Sequence, residues 1–150
     1  MNKFIIRRTN DLLSKYLPVK YEHVVFCKLS PFQTDLYNYF ITSPDIKSIL
    51  RGKGSQPLKA IGLLKKLCNH PDLLNISEDL PGCESLFPDD YVPKDARGRD
   101  REVKVWYSGK MMVLDRMLAR IQRETKDKIV LISNYTQTLD VFEKLCRSRG

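Results

Sequence analysis

Apolar residues recur at helical spacing in four stretches of this 150-residue chain. Phe32, Leu36, Tyr39 and Phe40 line one side of a segment that starts at Ser30-Pro-Phe-Gln33 and stops at Ser43-Pro44. That opening is a helix start: Ser at the cap, Pro at the first helical position, Gln three residues after the cap. Leu58, Ile61, Leu64, Leu67 and Cys68 predict a second helix from about Pro57 to Asn69, with Lys59, Lys65 and Lys66 off its stripe. His70-Pro71 ends it, because proline disfavours helical geometry at the preceding residue. A third stripe runs through Met111, Leu114, Met117, Leu118 and Ile121, and a fourth turns Leu139, Phe142, Leu145 and Cys146 inward.

Two further stretches follow a different pattern. Tyr21 to Leu29, rich in Val, Phe and Tyr, reads as a strand. Ile129 to Ile132 is an unbroken apolar run, the pattern of a parallel strand buried on both faces. With a helix on either side it opens a doubly wound lobe. The expected fold class is therefore α/β, mostly helical, with a buried parallel strand near the C-terminus. A single βα unit cannot bury itself, so the chain is expected to be an incomplete piece of a larger protein. Arg51-Gly-Lys-Gly-Ser55 reads as a flexible basic break. The acidic, proline-containing stretch 71–107 reads as an inter-domain linker or insertion, the least ordered part of the chain.

Charge sharpens this picture. The net charge is +8, yet residues 75–96 hold six acids against Lys94 alone, a balance of −5 that leaves +13 elsewhere. Such basicity suits a polyanion such as nucleic acid, and equally a basic soluble surface. No apolar run reaches membrane-span length and no signal-peptide core is present, so a membrane partner is not expected. Cys27, Cys68, Cys83 and Cys146 lack C-x-x-C spacing, which argues for free or buried thiols in a reducing compartment rather than zinc or redox chemistry. Asn75-Ile-Ser and Asn134-Tyr-Thr match the glycosylation pattern but read as chance without a secretory signal.

The catalytic inventory is negative: no G-x-x-x-x-G-K-[ST] loop, no Asp-Glu metal box and no G-x-S-x-G elbow occur. Binding candidates are better defined. Ser133-Asn-Tyr-Thr-Gln137 lies at the C-terminal edge of the expected strand, where α/β proteins place ligands. The first amides of the following helix suit a phosphate, and Ser133 and Thr136 could add hydroxyl bonds to a nucleic-acid backbone. Asn134 and Gln137 have cap-like spacing, so the plain alternative is a well-capped helix. Ser108-Gly-Lys110 reads as an N-cap, a flexible glycine and an exposed lysine, since the upstream glycines of a phosphate loop are missing. Arg7-Arg8 reads as a phosphate clamp, an ion-pair anchor between lobes or a solvated pair. Asn69-His70-Pro71 is expected to fix the helix exit through side-chain bonds to backbone, with His70 capping or packing rather than catalysing.

In combination these segments resemble a family. Phe4-Ile-Ile-Arg-Arg-Thr, Leu17-Pro-Val-Lys20, Lys65-Lys-Leu-Cys-Asn-His-Pro71, Ser108-Gly-Lys110 and the Lys128 segment are similar, in this order, to the SWI/SNF-type helicase-like ATPases. Ile5 to Pro18 and Ser133 to Asp140 resemble most its recombinational-repair branch, the Rad fifty-four-type DNA translocases. The resemblance implies an inter-lobe region: residues 1–50 end the first RecA-like lobe, 51–107 form an inter-lobe helix and acidic linker, and 108–150 start the second lobe. It implies an ATP-driven motor on double-stranded DNA and chromatin, aiding a RecA-like recombinase in the nucleus. ATP and magnesium would be held by residues outside this piece. The family's fourth helicase motif falls on Ile129 to Thr136, so Ser133, Asn134, Thr136 and Gln137 would face DNA backbone. Lys110, Lys65 and Lys66 are further backbone contacts by this reading, and Arg7, Arg8, Asn69 and His70 lie between the lobes. A rival reading is a non-enzymatic DNA- or protein-binding module.

Overall fold

A computed structural model describes residues 4, 6–7, 9–12, 16–50, 57–92 and 102–150. Helix α1 spans Pro31–Thr42 and opens on the expected capping box. The Gln33 amide donates to Ser30 Oγ at 3.2 Å, and the Ser30 amide donates to Gln33 Oε1 at 3.1 Å. The chain does not leave helical structure at Ser43-Pro44: α2, Pro44–Leu50, starts there, because proline fits a first helical position as well as it ends the previous helix. Helix α3 spans Pro57–Asn69, as the stripe predicts. Its buried face is rotated, however, to Ala60 and Leu67 with Leu63 and Leu64 beside them, while Leu58 and Ile61 are exposed.

The stretch after α3, expected to be the least ordered part of the chain, is folded over 71–92. Residues 71–92 fold onto α1 through a turn at Pro71–Leu73, the short α4 at Ile76–Asp79 and a turn at Glu84–Leu86. Leu74, Ile76, Leu80, Cys83 and Tyr91 from this stretch join Phe32, Leu36, Phe40 and Leu67 in one core. Aromatic packing explains the capture: Phe32 meets Tyr91 at 4.8 Å and Tyr107 at 5.4 Å between ring centroids. Apolar side chains set every few residues within the acidic stretch outweigh its charge, and Glu78, Glu84, Asp89 and Asp90 stay on the solvent side. Residues 93–101 and the Arg51–Ser55 break lie outside the described residues.

A second core holds the C-terminal third. Helices α5, Gly109–Glu124, and α6, Thr136–Arg149, meet through Met111, Leu114, Val141 and Phe142, with Leu73 and Val103 completing the cluster. Adjacent residues Leu73 and Leu74 belong to different cores, so the two clusters abut at this point. Asp115 and Arg149 lock the helices further by a two-pronged ion pair at 2.8 and 3.0 Å. The buried face of α6 is Thr138, Val141 and Leu145; Leu139 and Cys146, expected inward, are exposed.

Neither expected strand forms a ladder, and no strand occurs among the described residues. Val24, Val25 and Phe26 are exposed, and so are Ile129, Val130 and Ile132, the last 84% exposed. A buried parallel strand is thus not seen among the described residues. A strand exists through its neighbours' hydrogen bonds, and no described segment supplies them.

All four cysteines are free, and burial followed by the charge of Glu84 pushes the Cys83 thiol up to about 11. On the surface, Asp90 accepts hydrogen bonds from Lys104 Nζ at 2.8 Å and from the Tyr107 hydroxyl at 2.6 Å. These two bonds, Lys104 first, hold its carboxyl below the usual range. The stabilisation is fully present above the ordinary carboxylate value of about 4 and is lost as pH falls through the depressed native value. Replacing Asp90 by Asn should lower the neutral plateau of a pH–melting-temperature curve slightly and flatten its acid limb, where the wild type loses the same stabilisation.

Candidate nucleic-acid interface

The expected inter-lobe and DNA-facing residues sort into two places. The first is the meeting point of α1, the end of α3 and the start of α5. Ser30, Gln33, His70 and Ser108 are all 2% exposed or less there. Gln33 Oε1 accepts from the Gly109 amide at 3.0 Å, in addition to its cap bond, while its Nε2 donates to the Leu67 carbonyl at 2.7 Å. Ser30 Oγ donates to the Tyr107 carbonyl at 2.8 Å. Ser108 Oγ donates to the Asn69 carbonyl at 2.5 Å and accepts from the Met111 amide, which makes it the N-cap of α5. His70 Nδ1 accepts from the Asp72 amide at 3.1 Å, which leaves the ring proton on Nε2 to donate to the Lys104 carbonyl at 3.1 Å. The polar atoms of this buried knot thus answer one another, as a dry site requires.

Of Asn69-His70-Pro71, His70 caps the turn after α3 and packs, while the Asn69 side chain bonds a side chain rather than backbone. Lys110 is exposed at the rim, its Nζ donating to Asn69 Oδ1 at 2.9 Å. Lys65, exposed, and Lys66, half-buried, sit on the last turns of α3, so three lysines flank the joint between α3 and α5. Gly109 is not a flexible spacer. A Cβ there would lie 1.7 Å from the Lys28 carbonyl oxygen, so the backbone of residue 28 needs glycine for its approach. Arg7 is exposed, and Arg8 lies outside the described residues.

The second place is the turn before α6. Ser133 Oγ accepts from the Tyr135 amide at 3.1 Å, and Asn134, Thr136 and Gln137 are exposed. The cap position is Tyr135, with no side-chain bond to the helix, so the Asn134–Gln137 capping alternative is not realised. The first amides of α6 keep the partial positive charge of an uncapped helix end. One turn in, the buried Thr138 hydroxyl has no hydrogen-bond partner among the described residues.

Sequence reasoning missed Gln33 and Ser108 as joint residues. A cap uses one acceptor of Gln33 and leaves its NH2 donor unassigned, and that surplus was the available signal. Among the described residues no group of three or more His, Cys, Asp or Glu could hold a metal ion. Among the described residues, too, no helix is long and apolar enough to cross a membrane.

Comparison with known proteins shows what the chain is similar to. The SNF2-related domain matches residues 1–73. The DNA repair protein rhp54 of Schizosaccharomyces pombe is 72% identical over 150 residues, 100% of this chain and 18% of that protein. Residues 1–73 are thus similar to an SNF2-related domain, and the whole chain is similar to rhp54. The DNA repair and recombination protein RAD54 of Saccharomyces cerevisiae is 56% identical over 149 residues, 98% of this chain and 16% of that protein. The protein CHROMATIN REMODELING 25 of Arabidopsis thaliana is 45% identical over 161 residues, 99% of this chain and 18% of that protein. The chain thus spans less than a fifth of the length of these relatives. An SNF2-related domain implies a RecA-like fold.

Proposed function

We propose that this chain is the inter-lobe joint of an ATP-driven translocase on double-stranded DNA that acts in homologous-recombination repair and on chromatin in the nucleus. The observation that carries the reading is identity along the whole chain to proteins named for DNA repair and recombination. In this reading residues 1–50 close the first RecA-like lobe, 51–107 form the joint and 108–150 open the second lobe. Ile129 to Ile132 then becomes a strand when the lobe's neighbouring strands cover it, which accounts for its apolar composition and present exposure. ATP and magnesium bind residues outside this chain, and a RecA-like recombinase is the further partner.

The DNA-facing groups are those suited to phosphate rather than bases. Lys65, Lys66 and Lys110 bring charge, while Ser133, Asn134, Thr136, Gln137 and the uncapped amides of α6 bring neutral donors. Contacts of this kind grip any sequence, which a motor needs. The Thr138 hydroxyl is a buried group that a neighbouring strand or bound phosphate would satisfy.

The test uses the full-length protein. ATP hydrolysis should rise on adding double-stranded DNA of any sequence, and the effect should weaken with salt. Removing Lys65, Lys66 and Lys110 together should lower affinity uniformly across sequences and reduce the salt slope by about one for each phosphate no longer neutralised. Hydrolysis indifferent to DNA would hand the chain to a binding module without motor activity.

A further inference from the structure

We infer that Gln33 is the positioning residue through which this joint couples ATP turnover to DNA movement; the inference rests on the translocase reading above. One planar amide bonds the backbone of three elements at once: its own cap at Ser30, the last turn of α3 at Leu67, and the first residue of α5 at Gly109. The elements it joins carry the lysines. Lys65 and Lys66 stand within two residues of Leu67, and Lys110 follows Gly109.

Oxygen and nitrogen of an amide share one carbon, so Gln33 holds the Leu67 carbonyl and the Gly109 amide at a set separation. The side chain is fully buried, so no water stands ready to replace either bond. Rotation of α5 relative to α3 must therefore break a buried hydrogen bond, which makes the joint a two-state element rather than a soft bend. The Lys28 carbonyl, seated against the Gly109 Cα, blocks α5 from sliding inward. The exposed Lys110–Asn69 bond lies in water and is too weak to impose this alone. Gln33 thereby sets where Lys110 stands relative to Lys65 and Lys66 in each state.

The experiment compares wild type, Gln33→Leu and Gln33→Glu in the full-length protein. It reads melting temperature, DNA-stimulated hydrolysis, and base pairs moved per ATP by single-molecule tracking. Gln33→Leu should keep hydrolysis within about threefold of wild type and lower the distance moved per ATP about fivefold or more, the range of a coupling mutation. Gln33→Glu should be poorly coupled at pH 8 and recover towards pH 6. The protonated acid restores a donor for Leu67 while keeping an acceptor for Gly109, and burial favours that neutral form. Wild type should show no such recovery. Should Gln33→Leu fail to fold, the pH response of Gln33→Glu decides. Unchanged distance per ATP in folded variants overturns the inference, as does a proportional loss of hydrolysis and movement without pH recovery. A wild-type protein that hydrolyses ATP without regard to DNA overturns the translocase reading instead.

Discussion

Gly109→Ala should destabilise the chain by about 3–5 kcal/mol, near the upper end of single substitutions. The added methyl would lie 1.7 Å from the Lys28 carbonyl oxygen and 2.9 Å from its carbon. Both atoms are backbone, so no side chain can rotate away. Either α5 or the segment around Lys28 must move. Movement endangers the Gly109–Gln33 and Ser30–Tyr107 bonds, and each buried group left unpaired costs about 1–3 kcal/mol. The opposing gain from alanine's helix propensity is about 1 kcal/mol at most, so the clash wins. Gly62 provides the control. It lies inside α3 with no atom within 4 Å of an added Cβ, and Gly62→Ala should stabilise by about 0.5–1 kcal/mol. Urea unfolding of the two variants checks both signs, and equal midpoints would refute the account of the joint.

Leu145→Ala is the second large effect, expected at about 2–5 kcal/mol because the side chain is buried and its loss leaves a cavity. Leu139→Ala should cost under about 1 kcal/mol, since its side chain is already partly in water. Thermal unfolding of the isolated chain separates them. The comparison also tests which face of α6 is inward, because a stripe of Leu139, Phe142, Leu145 and Cys146 would make the two losses similar. In the full-length protein the Leu139 loss should grow if a sheet covers that side.

The helices were largely legible in the residues. Ser30-Pro-Phe-Gln33, Pro57, His70-Pro71 and Ser108-Gly109 mark ends by local chemistry, and α1, α3 and α5 begin or end there. The faces were less legible. In α3 the buried side includes Ala60 instead of Leu58, and in α6 Thr138 and Val141 instead of Leu139 and Cys146. Both helices carry more apolar residues than one contact can cover, so periodicity leaves the rotation open. The order of 71–92 was not legible, because acidity and proline suggested the least ordered part of the chain, while Tyr91 and Cys83 found partners far away in sequence. The DNA-facing residues were picked by charge and position, and the structure groups Lys110 with Asn69 through a hydrogen bond.

The residues by themselves determined where most helices start and stop and which family the chain resembles. Caps, proline breaks and periodicity act over a few residues, so no tertiary context is needed to read them. Folding in three dimensions decided that Gln33, Ser108 and His70 form one buried knot and that Gly109 must admit the Lys28 carbonyl. Those bonds join residues up to 77 positions apart. A hydrogen bond at such separation leaves no local periodicity, and its geometry exists when the packed helices bring both ends together.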